Sequence, residues 1–468
     1  MSKSKTKITN ITNDDLPEKE IKTINIRDIN ADYIPVIIIF PKINDNIFTK
    51  NLEPKFSKNI DYPKFSFGFH HFVHQSKDKL EITKEFEGKK KVYYIINKFE
   101  ITIDNYDLDI GNITKVYFDL DPKPNILDRS FFKLWEILQF FDLIPNDISN
   151  FISAHIGEKV GGFLQATMYY RNKFNKGNQK NDKYFTYFLD ENEQFSDIRN
   201  NYINYFSKEK PQRIYLQEFK KNDDPTIMNI NNINNFSKKF IDQGADFITA
   251  DGSFNWKNKN VQEQEAFILI LSEIITAVKI QAKGGNFVCR IFETFTETTV
   301  KLIIALNTFY EEIYIIKPLI SRKANSEKYL VCKNFLFGDD KTKNNNIKSL
   351  ENLLDNMINQ DNFLVEIFPE FEIPKNFLVS LIKANTMISN RQFININEIV
   401  DFIQKQNYRG DVYQTRRQMQ IDASKFWVDR FYPDVNDFEI KKKENDEFVK
   451  SVLEINNNLT NRLLNKLN

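Results

Sequence analysis

Nowhere in this 468-residue chain do the roughly 20 consecutive apolar residues of a membrane-spanning helix occur. The first thirty positions are polar and charged and hold no apolar signal core, so a soluble, non-secreted protein is expected. Cysteine is almost absent. Cys289 and Cys332 both sit inside apolar, strand-like runs, and one pair can build neither a disulfide scaffold nor a closed zinc site. Both read as buried, reduced residues of a cytosolic or nuclear protein. Excess charge is missing too: 65 Lys and Arg against 64 Asp and Glu leave a net +1, so any polyanion must be held by a local patch. Heavy use of Asn, Lys, Ile and Phe reads as the bias of an AT-rich genome, and the Asn runs at 231–232, 344–346 and 456–458 carry no functional weight.

What is present divides the chain. Residues 1–28 are charged and aperiodic, as a mobile end is. Residues 29–125 have a β-rich texture, with apolar runs from Tyr33 to Phe40 and from Val92 to Ile103. His70, His71 and His74 fall in this region, and on a helix the pair four apart could face a metal. Phe67, Phe69 and Phe72 alternate instead, with no Cys or acidic cluster nearby, so surface or packing histidines and no metal are expected. Residues 339–468 carry mainly helical patterns broken by Pro369, Pro374 and Pro433. Within them Arg409, Arg416 and Arg417 form a solvated face or a phosphate contact, and Trp427 reads as a helix anchor packed on the main domain.

Residues 126–338 hold the chemistry. After Pro122 and Pro124 a helix begins near Leu127, with Phe131, Leu134, Trp135, Leu138 and Phe141 on one face and Arg129 and Lys133 on another. A short strand, Phe151 to Ala154, leads into the glycine-rich turn Gly157-Glu158-Lys159-Val160-Gly161-Gly162-Phe163 and a helix. Such a turn lets the backbone approach a nucleotide-like ligand at the helix N-terminus, although the spacing is not GxGxxG. A second strand ends at Asp190-Glu191, which either accept hydrogen bonds from a ribose diol or stand as solvated loop charges. A third, Arg213 to Leu216, precedes the polar loop Lys220 to Thr226. Asp251-Gly252-Ser253-Phe254 then ends an apolar run, Val261 to Ala282 repeats with helical period, and Gly284-Gly285 opens a run ending at Arg290. Lys317-Pro318 closes another just before Ser321-Arg322 and Asn325-Ser326-Glu327. The pattern predicts an α/β, Rossmann-like sheet with helices on both faces and polar residues at the strand ends.

In this order, Arg129-Ser130-Phe131-Phe132-Lys133-Leu134, Gly157 with Gly161-Gly162-Phe163, Ala250 to Phe254, Gly284 to Arg290, and Lys317 to Tyr329 resemble the FtsJ/RrmJ-type RNA 2'-O-ribose methyltransferases. The likeness is greatest to the cap-1 branch and its relatives in large cytoplasmic DNA viruses. It implies S-adenosylmethionine as cofactor, held by Gly157, Glu158, Gly161, Gly162, Phe163, Asp190, Asp224 and Asp251. It also implies a catalytic tetrad on Lys133, Asp251, Arg290 and Glu327, RNA contacts from Arg129, Lys317, Ser321, Arg322 and Asn325, and no metal. Capped mRNA 5' ends would be the substrate and capping or transcription proteins the partners, away from membranes, in a host cytoplasm or virion or in a nucleus.

A ribose 2'-hydroxyl is a poor nucleophile near neutral pH, so it must be deprotonated or polarised while held in line with the methyl. Two departures from the family pattern fall on that chemistry. The third tetrad position, lysine in the family, is Arg290, whose guanidinium keeps its proton and is a very poor base. In the donor loop His155 replaces an acidic residue, and Glu158-Lys159-Val160 replace small residues and proline. Two readings follow: an active methyltransferase in which Arg290 positions the hydroxyl, or a catalytically silent subunit kept for RNA binding or scaffolding.

Overall fold

Runs of branched and aromatic residues bounded by polar turns form the strands of this protein, and the 3.6-residue patterns between them form its helices. A computed structural model describes residues 29–467 apart from 122, 146, 176, 178, 190–192, 207, 209–211, 218–224, 254–257, 339 and 359. The order is β1 (Val36–Phe40), β2 (Lys55–Ser57), α1 (Phe67–Lys79), α2 (Ile110–Tyr117), α3 (Ser130–Phe140), β3 (Ile152–Ile156), α4 (Gly162–Phe174), β4 (Lys183–Tyr187) and α5 (Glu193–Phe206). Then come β5 (Ile214–Leu216), α6 (Ile230–Ser237), β6 (Ala245–Ala250), α7 (Gln262–Ile280), β7 (Gln281–Ile291), α8 (Glu297–Phe309), β8 (Tyr310–Lys317) and β9 (Lys328–Phe335). The chain closes with α9 (Lys341–Ile358), β10 (Phe363–Glu366), α10 (Lys375–Gln404), α11 (Gly410–Phe431) and α12 (Phe438–Leu467).

Eight strands make one sheet in the order β1-β8-β9-β7-β6-β3-β4-β5. From β5 to β7 neighbours are parallel, as the strand–helix–strand alternation requires. The hairpin of β8 and β9 inserts antiparallel, with β9 against β7. One face of the sheet is covered by an apolar layer including Leu271, Ile274, Ile303, Leu350 and Leu381, the other by one including Leu134, Trp135, Leu164, Trp427 and Phe448. Trp427 is fully buried and donates its ring N–H to Glu136 Oε2 at 3.1 Å, which fastens α11 to α3.

The N-terminal region departs from its expected β-rich character. Among the described residues of 29–125 only the short β1 and β2 are strands, and the run from Val92 to Ile96 is a 3-10 turn. The segment with the three histidines is helix α1, whose inward side is Val73, His74, Ser76 and Lys77, while Phe67 and Phe72 are exposed. The alternation read from Phe67, Phe69 and Phe72 is therefore not that of a strand. The region is also joined to its neighbours: β1 extends the main sheet antiparallel to β8, and β2 pairs with β10 across about three hundred residues of sequence.

Candidate active site

Strand register assembles four charged side chains at one edge. Ala250 of β6 lies opposite Cys289 of β7, so Asp251 follows directly beside Arg290. Ile291 of β7 lies opposite Lys328 of β9, which carries Glu327 to the same end. Helix α3 crosses above with Lys133 in its first turn. The result is two ion pairs: Lys133 Nζ is 2.6 Å from Glu327 Oε1, and Arg290 Nη1 is 3.2 Å from Asp251 Oδ1. Lys133, Asp251 and Glu327 are all under a tenth exposed.

The environment sets the charges. Burial raises the Asp251 carboxyl to about 6, against the pull of Arg290 and Lys133. Burial also opposes the charge of Glu327, but Lys133, Lys317 and Arg290 outweigh it and hold this carboxyl well below the usual range. For Arg290, burial is more than offset by Asp251 and its acidic neighbours, so its pKa moves further up. Its Nη2 donates to the backbone oxygens of Asp251 at 2.8 Å and Gly252 at 2.6 Å. Arg290 therefore clamps the turn after β6. Three buried polar atoms in this cluster, Asp251 Oδ1, Arg290 Nε and the Tyr329 hydroxyl, make no hydrogen bond among the described residues. Buried polar atoms are almost always satisfied, so this unmet demand marks a place for a polar ligand.

The glycine-rich turn lies alongside. Gly157 adopts φ +77, and a Cβ there would run into Glu273 and come within 2.9 Å of the Gly252 Cα, so only glycine lets the turns after β3 and β6 meet. Gly161 takes φ +106 and opens α4 at Gly162 and Phe163. Glu158 is buried, and its carboxylate accepts the Phe163 and Leu164 amides at 2.8 and 3.1 Å, capping α4. Burial, with Asp251 nearby, raises its pKa well above the ordinary value. His155 points into the sheet rather than into the loop. Its ring nitrogens sit 2.8 Å from Thr249 Oγ1 and 2.9 Å from Ser153 Oγ, and burial lowers its pKa to about 3. Asp190 and Asp224 lie outside the described residues.

Several expected RNA contacts turn out to be internal braces. Lys317 is buried and gives its ammonium protons to Asn325 O, Asn325 Oδ1 and Glu327 O, at 2.6–2.7 Å. Burial lowers its pKa to about 7 against the pull of Glu327. Ser321 is buried as well and donates to Glu327 Oε1 at 2.7 Å. Arg129 spends its guanidinium on Glu100, the Phe99 carbonyl and the Ile320 carbonyl. These side chains fix the loop that presents Glu327, because a charged group taken from water must find partners inside. Arg322 bonds Glu100 Oε1 at 2.9 Å and lies 3.6 Å over the Tyr94 ring, with nearly a third of its side chain exposed. Asn325 is exposed.

Sequence reasoning passed over two further acids. Glu136, one turn beyond Lys133, accepts the Leu319 and Ile320 amides at 2.6 and 3.1 Å, tying α3 to the loop after β8. Its position inside the apolar string Phe131 to Phe140 was the available signal. Glu273 of α7 accepts the Gly252 amide at 2.9 Å, and burial lifts its pKa to about 8. A carboxyl with a raised folded-state pKa contributes stability fully present below its unfolded pKa, and that contribution is lost as pH rises through about 8. Glu273→Gln keeps an acceptor for Gly252 without the charge. Denaturant melts should find it more stable than wild type by ~1–3 kcal/mol above pH 8, and little different at pH 5.

Comparisons with known proteins find relatives over the same stretch of chain. Residues 126–335 match the family model described as FtsJ-like methyltransferase. The chain is 33% identical over 192 residues to a cap-specific mRNA (nucleoside-2'-O-)-methyltransferase 1 of Dictyostelium discoideum, covering 40% of this chain and 25% of that protein. With the Drosophila melanogaster protein of the same name it shares 34% over 184 residues, 38% of this chain and 23% of the relative. A Caenorhabditis briggsae protein named as an inactive cap-specific mRNA (nucleoside-2'-O-)-methyltransferase 1B is 28% identical over 217 residues, 44% of this chain and 25% of its own length. The chain thus spans about a quarter of the length of the relatives it matches. Sheet order and motif order accord with the match of residues 126–335 to the FtsJ-like methyltransferase model.

Proposed function

We propose that this chain is an S-adenosylmethionine-dependent RNA 2'-O-ribose methyltransferase acting at the capped 5' end of mRNA. The observation that carries this reading is the convergence of Lys133, Asp251, Arg290 and Glu327 at one sheet edge, where Asp251 Oδ1, Arg290 Nε and the neighbouring Tyr329 hydroxyl make no hydrogen bond among the described residues. The turn that would hold the cofactor lies beside Asp251: Gly157 and Gly161 take the positive φ values of +77 and +106 that shape it, and Asp251 Oδ1 accepts no hydrogen bond beyond its ion pair with Arg290. When bound, the cofactor supplies an electrophilic methyl on a sulfonium sulfur.

The protein's own groups have separable tasks. Asp251, with a pKa of about 6, is mostly ionised at neutral pH and accepts the proton of the 2'-hydroxyl. Arg290 cannot take that proton, and it orients the turn that carries Asp251. Glu327 stays anionic and holds the Lys133 ammonium in place, so that one positive charge faces the reacting oxygen. A cavity of about 780 Å³, lined by Tyr94, Asp128, Arg129, Phe132, Arg322 and Tyr413, opens beside the helix of Lys133 and is large enough for a nucleotide. Lys90, Lys91 and Lys115 line the same cavity, and phosphate contacts there would make RNA binding fall as salt rises.

A second reading, a catalytically silent subunit of a capping or transcription complex, is favoured by the Glu158 carboxylate on the α4 amides and by the diversion of Arg290 to backbone oxygens. Incubating the protein with capped short RNA and tritium-labelled methyl donor separates the two. The enzyme reading expects label in the 2'-O-methylated nucleoside. Absence of transfer, together with no donor binding by calorimetry, overturns it in favour of the silent subunit.

A further inference from the structure

Helix α1 brings a second chemistry to the molecule, beyond the end of β7 that carries Arg290. His70 and His74, one turn apart, share a face of α1, and their rings stack with centroids 3.9 Å apart. Glu293, two residues past the end of β7, meets them there: its Oε2 is 2.9 Å from His74 Nε2. One ligand atom from each of the three side chains lies within 4.8 Å of the others.

We propose that His70, His74 and Glu293 form a binding site for a divalent cation of the zinc class. Two imidazoles and one carboxylate are a donor set suited to Zn²⁺ and poorly suited to Mg²⁺ or Ca²⁺, which take oxygen ligands. Zinc bonds of about 2.0–2.2 Å place ligand atoms roughly 3.3 Å apart. Reaching that spacing from the present separations of up to 4.8 Å requires the half-buried His70 ring to turn out of its stack on His74.

Two neighbours already do the orienting work expected around such ligands. Lys77 donates to Glu293 Oε1, which fixes the carboxylate and leaves Oε2 turned to the histidines. The Phe295 ring meets His70 edge-on at 5.1 Å. Lys77 also weakens the site, because its ammonium shares the carboxylate with the incoming cation. Three protein ligands leave a fourth position for water. The site would fasten the N-terminal helix to the segment that begins three residues after Arg290, whose guanidinium lies 5.6 Å from the centre of the Phe292 ring.

The test uses the full chain, stripped of metal by dialysis against a chelator. Titration with Co²⁺ should produce the visible absorption of a four-coordinate site at one equivalent, and Zn²⁺ should displace it. His70→Ala and His74→Ala should each lower the affinity by roughly 100-fold or more, while His71→Ala, exposed on the same helix, should leave it unchanged. Lys77→Met should tighten binding. Circular dichroism establishes that each variant is folded, and His70→Ala, which removes no ion pair, is the decisive one. Failure of the wild-type chain to bind either cation overturns the site, as does binding that is the same in folded His70→Ala as in wild type.

Discussion

Asp251→Ala lowers the rate of methyl transfer by about 10²–10⁴-fold, the usual share of a well-placed general base, while capped-RNA binding stays close to wild type. The expectation follows from the carboxylate's position after β6 and from its pKa of about 6, which leaves it mostly ionised at neutral pH yet able to take up a proton. In the wild-type protein the rate should climb as pH rises through about 6, where this carboxyl ionises. Stability should move in the opposite sense. The folded state favours the protonated acid, so the stabilisation present below pH 4 is lost as pH passes 6. Asp251→Asn, similar in shape, should flatten both profiles. A single-turnover assay across pH 5–9 reads the first and denaturant melts read the second. An Asp251→Ala protein that transfers methyl at the wild-type rate would remove the carboxylate from the mechanism.

Arg290→Lys is expected to raise the rate about tenfold or more above pH 8, because it places a titratable amine where the guanidinium stays charged at every accessible pH. The same change should cost stability. Arginine donates from one nitrogen to the Asp251 and Gly252 carbonyls and keeps a second beside the Asp251 carboxylate, a fork that a single ammonium cannot reproduce. A loss of about 1–2 kcal/mol in denaturant melts is anticipated. The two observables therefore move apart. Should the substitution instead extinguish transfer in a protein that still binds the donor, the clamp on the β6 turn would be the essential contribution of Arg290, outweighing any gain in basicity.

Much of the central sheet could be read directly from the chain. The apolar runs ending at Asp251, Arg290 and Lys317 are local signals, and their spacing implies parallel strands joined by helices. Strand register then brought Lys133, Asp251, Arg290 and Glu327 together, as the motif order implied. Side-chain direction was less legible. Lys317, Ser321 and Arg129 look like solvent-facing polar residues in a loop, yet each turns inward to acceptors that only the fold supplies. Glu136 stood out only as an acid within an apolar string, and neither it nor Glu273 carries a local sign of the distant loop whose amides it accepts. The outer regions were least legible. The partners of β1 and β2 lie hundreds of residues away, and α1 hid behind phenylalanines that face outward.

The pairing of Val36–Phe40 with β8 bears on how the molecule is assembled. During synthesis these five apolar residues emerge well before their partner strand, which lies some 280 positions downstream. Until then they form an uncovered β-prone segment of the kind that attracts other chains. Loss of that strand would leave the backbone of Ile313–Lys317 as a raw sheet margin. The N-terminal region thus acts as the selvedge of the main sheet, and shortening the protein to the family-matched residues would trade a closed sheet for a sticky one.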